Sequence, residues 1–189
     1  MSCSQLLFLF VLILAVSTVE MSSEIPEKFF GKFKLDKSEN FDAYLETKGL
    51  NWFLRKIICM SSVSYVFKKG NEPKKYTQIV FSKKTIEYSN WKLGETFEGE
   101  GMDGTKHKIT FTMSDENTLD EHHDRYEIEG DNQELYHYTR EGDYLVQTMS
   151  NKGVTAKRWH KLFISPTEYI TKQDKKNFYQ VCTNNNFSF

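Results

Sequence analysis

Two places in this chain carry residue types at a spacing that could do chemistry. Arg158 and His160 stand two apart in the β-rich run Val154–Phe163. On a strand that spacing puts both on one face, with Trp159 on the other. Facing inward, an arginine in an apolar interior requires an anion. Facing outward, it is an ordinary surface cation. The second place is His122-His123, flanked by Asp120, Glu121 and Asp124. Adjacent imidazoles on a strand point to opposite faces and cannot share one metal in simple geometry. That cluster is therefore expected to be a solvated strand edge. Lys68-Lys69 with Lys74-Lys75 reads as a charged hairpin, and Asn186-Phe187-Ser188 is a formal glycosylation sequon close to the C-terminus.

Other reactive constellations are missing from the sequence. There is no nucleophile elbow, glycine-rich phosphate loop or zinc-protease motif, and no paired nucleophile and base. The expectation is a protein that is not an enzyme and needs no cofactor or metal. With 25 Lys+Arg against 26 Asp+Glu the net charge is −1, so no global positive field recruits nucleic acid. The 189 residues fit one domain with an appendage, and 15 Phe, 10 Tyr and 3 Trp can bury a core. Three cysteines are too few for a disulfide scaffold.

The elements that must position Arg158 and His160 follow from the periodicity. Leu6 to Val16 is an unbroken apolar run, shorter than the roughly 20 residues that span a bilayer. Ala15 and Ser17 follow as small residues at peptidase-site spacing. Residues 1–17 are expected to be a secretory signal peptide, 18–25 a polar lead-in, 26–163 the folded domain and 164–189 a polar extension. Phe30 to Leu35 alternates with the period of a strand, and Asp36 to Asn40 has the composition of a turn and helix start. Phe41 to Ser61 has helical spacing interrupted near Gly49-Leu50, which predicts two short helices. After Ser62 come nine short β-rich runs separated by turn residues. With the first strand that makes about ten, and a meander of that length closes most easily as a barrel without exposed edges. After loss of the leader, Cys59 and Cys182 remain. They could form one bridge in an oxidising compartment, or Cys59 could be a small buried residue.

Gly31-Lys32-Phe33-Lys34-Leu35, four spacer residues, then Asn40-Phe41-Asp42-Ala43-Tyr44-Leu45 resembles the N-terminal signature of the fatty-acid-binding proteins. The helix pair, the strand count and the Arg-x-aromatic pattern near the C-terminus fit the same family, over roughly Pro26 to Leu162. Thr105 to Phe111 and Gly142 to Val146 look closest to the secreted nematode members. The resemblance implies an all-β fold, a ten-stranded antiparallel up-and-down barrel with a helix–turn–helix lid after the first strand. It implies a monomeric secreted, extracellular carrier of long-chain fatty acids or related anionic lipids, with transient membrane contact through the lid. Arg158 matches the family's carboxylate-binding arginine, and His160 stands where the family has tyrosine. Counting from the turn at Glu141-Gly142 puts His137 at the position of a further family arginine, with Arg140 on the opposite face. Leu54, Ile57 and Ile58 would form the apolar face of the lid and gate the portal. The rivals are an eight-stranded lipocalin-type binder of small hydrophobes, which the helix pair argues against, and an interaction module with a vestigial cavity.

Overall fold

A computed structural model describes residues 24–126 and 133–164. The expected leader, most of the lead-in, the C-terminal extension, Cys182 and the sequon lie outside the described residues. Ten strands form one antiparallel sheet: β1 (Gly31–Glu39), β2 (Ser64–Lys69), β3 (Tyr76–Phe81), β4 (Thr85–Trp91), β5 (Thr96–Glu100), β6 (Lys106–Asp115), β7 (Thr118–Asp124), β8 (Gln133–Glu141), β9 (Tyr144–Asn151) and β10 (Val154–Ile164). The spatial order is β4-β3-β2-β1-β10-β9-β8-β7-β6-β5, so the meander is broken only where the chain returns to pair β1 with β10. Between β1 and β2 lie α1 (Phe41–Thr47) and α2 (Trp52–Cys59). The ten strands and the helix pair exclude the eight-stranded alternative.

The sheet bends round until β4 and β5 face each other without pairing. The seam is bridged by side chains instead: Tyr88 Oη donates to the Glu100 carbonyl at 2.8 Å, Lys84 pairs with Glu100, and the Tyr88 and Phe97 rings lie 5.6 Å apart. Tight turns hold the register elsewhere. Asn151 pairs with Val154 across a two-residue turn in which Lys152 and Gly153 have φ of 46° and 79°. That left-handed pair matches the twist of the flanking strands, and glycine adopts it at no steric cost.

One strand departs from the expectation. Asp36 to Glu39 is strand rather than turn, and α1 begins only after Asn40, whose φ is 55°. The reason is tertiary. This half of β1 pairs with β10 past a bulge between Leu35 and Lys37, and the Lys37 ammonium sits 4.5 Å over the Trp159 ring. Cross-strand bonds and that cation–π contact outweigh weak strand propensity.

Aromatic residues fill one end of the barrel. Phe29, Phe33, Phe67 and Phe111 are fully buried, and Trp91 stacks on Phe111 at 3.9 Å. Ile25, expected in the polar lead-in, belongs to this core; its N–H donates to Tyr76 Oη at 3.1 Å. At the other end, Phe41, Tyr44 and Leu45 of α1 pack on Met149 and Ala156 of β9 and β10. By contrast α2 buries none of its residues. It is tied to α1 by Arg55 to Glu46 at 2.8 Å and Lys56 to Asp42 at 3.1 Å. Exposed ion pairs of this kind are worth about 0–1 kcal/mol each, so the second helix is the less firmly held.

Candidate functional site

Ala156, Arg158 and His160 alternate on the inner face of β10, and all are buried. Of the two orientations open to Arg158, the structure shows the inward one. Its guanidinium lies 4.1 Å over the Phe41 ring of α1, and its Nε donates weakly to Ser38 Oγ at 3.4 Å. It has no carboxylate partner among the described residues. Burial lowers its pKa, against the raising influence of Tyr65, but an arginine starts so high that it stays cationic. His160 is fully buried beneath the edge of Tyr65, ring centroids 4.9 Å apart. Burial, and then the positive charge of Arg158, push its pKa down to about 3. The neighbouring Leu145 and Arg158 backbone favours the cation only weakly, and neither ring nitrogen makes a hydrogen bond of normal geometry. His160 is therefore a neutral ring across the physiological range.

His137 does not join these two. It is half-exposed and its Nδ1 lies 2.6 Å from Asp120 Oδ1, on the side of β8 away from the interior. The interior residue of β8 is its neighbour Tyr138, fully buried. The two-residue turn at Gly142-Asp143 sets Tyr138 opposite Gln147 and His137 opposite Thr148. A one-residue difference in counting exchanges the two faces of a strand. The expectation for His137 is corrected accordingly: Tyr138 takes the inward position. Arg140 shares the face of Tyr138 and lies 4.8 Å over the Phe33 ring.

Around Tyr138 the interior holds a polar network that sequence reasoning missed. Glu121 Oε2 accepts from Tyr138 Oη at 2.7 Å and from Gln78 Nε2 at 2.7 Å. Glu121 Oε1 lies 2.7 Å from His123 Nε2. Gln147 Nε2 donates to Tyr138 Oη at 3.1 Å and to Tyr65 Oη at 3.2 Å. His123 continues outward: its Nδ1 is 2.8 Å from Nδ1 of His107, whose Nε2 is 3.1 Å from Asp103 Oδ1. The three links from Asp103 to Glu121 need three protons, one more than two neutral imidazoles carry. When all are made, the histidine pair bears one positive charge between two carboxylates. Burial, and then the charge of His123, lower the pKa of His107. The solvated-edge expectation is thus corrected for Asp120, Glu121 and His123, which are buried, and kept for His122, which is exposed. A signal was available: Leu119, Glu121 and His123 are two apart and share the face that Leu119 buries. No cluster of three or more His, Cys, Asp or Glu among the described residues could hold a metal.

Gly101 makes room for this chain. A Cβ there would sit 2.4 Å from the His107 ring. Gly101→Ala is expected to displace His107 and cost about 1–3 kcal/mol of stability, the range for overpacking. Urea unfolding measures it, and a loss below about 0.5 kcal/mol, the scale of an ordinary surface change, would show that the ring steps aside freely.

The expected lid residues divide. Ile58 packs against the α1 cluster, whereas Leu54 is exposed. Ile57 lines a cleft of about 470 Å³ together with Met60, Ser61, Ser62, Ser82 and Lys83, between α2 and the β3–β4 turn. Cys59 is exposed at the end of α2, which corrects the reading of it as a buried residue.

A ten-stranded antiparallel clam, lidded by two helices and holding a buried arginine inside, defines a lipid-binding barrel. No protein-family model matches the sequence. Individual relatives do. The chain is 49% identical to fatty acid-binding protein homolog 3 of Caenorhabditis elegans over 155 residues, 82% of this chain and 91% of that one. It is 41% identical to a fatty acid-binding protein homolog of Ascaris suum, over 85% of this chain and 99% of that one. Among solved structures it is similar to As-p18, an extracellular fatty acid binding protein, with a TM-score of 0.72 and 41% identity over 74% of this chain and 99% of that one. A Schistosoma mansoni fatty acid binding protein in complex with arachidonic acid matches with a TM-score of 0.62 and 27% identity, over 72% of this chain and 96% of that one. The chain belongs to the fatty acid-binding protein family.

Proposed function

We propose that this protein is a secreted, monomeric, non-enzymatic carrier that holds one long-chain fatty acid or related anionic lipid inside the barrel. The observation that carries the reading is Arg158: a buried guanidinium facing the interior with no acidic partner among the described residues. Such a cation is costly unless an anion meets it, and a carboxylate is the anion that a lipid brings. The acyl chain supplies affinity, at about 0.8 kcal/mol gross for each buried methylene, before ordering costs. Arg158 sets orientation, with His160 as a neutral hydrogen-bonding neighbour. The weakly held α2 and the cleft at Ile57 form the portal.

Secretion is supported by the apolar run from Leu6 to Val16 and by likeness to a protein described as extracellular. Expression in a secretory host, with N-terminal sequencing of protein from the medium, should find a start near Ser17. Retention in the cell with Met1 intact would overturn this part. Contact with membranes is supported by Trp52, Phe53 and Met60, exposed on and beside α2 at 64, 68 and 79%. No helix among the described residues is long and apolar enough to cross a bilayer.

Arg158→Ala is expected to weaken fatty-acid binding by about 1.5–3 kcal/mol, the scale of a hydrogen bond to a charged group. Displacement of a fluorescent fatty acid measures it. Binding equal to wild type would place the head group elsewhere. Burial keeps His160 neutral, so from pH 8 to pH 6 this ring adds no charge toward the ligand.

A further inference from the structure

Given the carrier reading, the interior network says what head group fits beside Arg158. Three donors converge on Glu121: Tyr138, Gln78 and His123. Their convergence sets the direction of every hydrogen bond beyond it. The single proton of Tyr138 is given to Glu121, so the Tyr138 oxygen can only accept, and it accepts from the amide nitrogen of Gln147. The Gln147 amide is thereby oriented with its nitrogen toward Tyr138 and Tyr65 and its carbonyl turned away from them. The same logic applies to Gln78, whose nitrogen must face the carboxylate. Both side chains are at least 97% buried, and both carbonyl oxygens lack a hydrogen-bond partner among the described residues. An unpaired acceptor of that kind calls for a donor.

Gln147 is also the residue directly opposite Arg158 in the β9–β10 register. Arg158, which wants an anion, and Gln147, whose carbonyl wants a donor, therefore rise from facing positions on two neighbouring strands, with that carbonyl outside hydrogen-bond reach of the guanidinium. A simple carboxylate satisfies the first and sets its own oxygen lone pairs near the second. A head group that accepts and donates within a few bonds satisfies both.

We propose that the barrel selects long-chain acids bearing a hydroxyl next to the carboxylate, the carboxylate meeting Arg158 and the hydroxyl donating to Gln147 Oε1. This deepens the carrier reading and rests on it. The test compares three acids of one chain length in displacing a fluorescent fatty acid from the wild-type protein: hexadecanoic, 2-hydroxyhexadecanoic and 16-hydroxyhexadecanoic acid. The 2-hydroxy acid should bind about tenfold more tightly than the unsubstituted acid, the equivalent of one hydrogen bond to a buried acceptor. The 16-hydroxy acid, with its hydroxyl at the far end, should gain nothing. In Gln147→Leu the ratio between the 2-hydroxy and unsubstituted acids should fall to about one. Equal affinity of these two acids for the wild-type protein overturns the proposal while leaving the carrier reading standing. An undiminished preference in Gln147→Leu overturns the assignment to Gln147. Failure of all three acids to displace the probe overturns the carrier reading itself. Should the variant not fold, the wild-type comparison with its positional control still decides.

Discussion

Replacing Glu121 with leucine is expected to cost about 3–5 kcal/mol of folding free energy, the penalty for breaking a buried charged network by removing one partner. The residue is 4% exposed and accepts from Tyr138, Gln78 and His123. Leucine fills the space but accepts nothing, so three buried donors lose their acceptor at once. Each such loss carries a desolvation penalty of about 1–3 kcal/mol, partly relieved by relaxation. The loss also leaves the His107–His123 pair with Asp103 as its one remaining carboxylate contact. Urea unfolding with an unchanged m-value would report the loss as a shift of midpoint. A destabilisation below about 1 kcal/mol, the net worth of a single ordinary hydrogen bond, would mean that the donors find new partners and that the network does not hold the interior together. It would also weaken the orientation argued for Gln147.

His160 predicts an acid-dependent instability. Its pKa in the folded protein is pushed down to about 3 by burial and by Arg158, against an unfolded value near 6.5. Between those values the unfolded chain binds the proton and the folded chain does not. Stability therefore falls as pH drops below about 6.5, by up to about 1.4 kcal/mol per pH unit, and is insensitive to this residue above about 7. Over the whole interval the effect approaches about 5 kcal/mol. His160→Phe keeps a ring beneath Tyr65 and has nothing to titrate. The variant should gain on wild type steadily from about pH 6 down to about pH 3.5, while carboxylates elsewhere affect both proteins alike. Parallel stability curves over that interval would show that His160 takes up its proton without leaving the fold, and that the ring is not sealed from water.

Much of this architecture is legible in residue types alone. Strand alternation, glycine- and asparagine-rich turns and the helical spacing from Phe41 to Cys59 report local preferences that tertiary packing here reinforces. The pairing of Arg158 with His160 on one face is likewise local, since a period of two needs no knowledge of the rest of the chain. Whether that face turns inward is not local, and neither is the length of β1. Asp36 to Glu39 carries turn-like composition and becomes strand because β10 lies alongside it.

The interior of β8 shows the limit most clearly. Tyr136, His137 and Tyr138 are each amphipathic, so their sequence has no apolar stripe to mark a face. Only pairing across the Gly142-Asp143 turn decides that Tyr138 looks in and His137 looks out. The histidines tell the same story from two distant positions. His107 and His123 lie on different strands and acquire meaning only when antiparallel pairing of β6 with β7 brings their Nδ1 atoms to 2.8 Å. By itself the sequence determined about ten strands, a helix pair after the first of them and Arg158 with His160 on a common face, because those features depend on periodicity and short-range turns. The tertiary structure decided which polar groups meet inside it, because hydrogen-bond partners far apart in the chain are chosen by strand register and by exclusion of water.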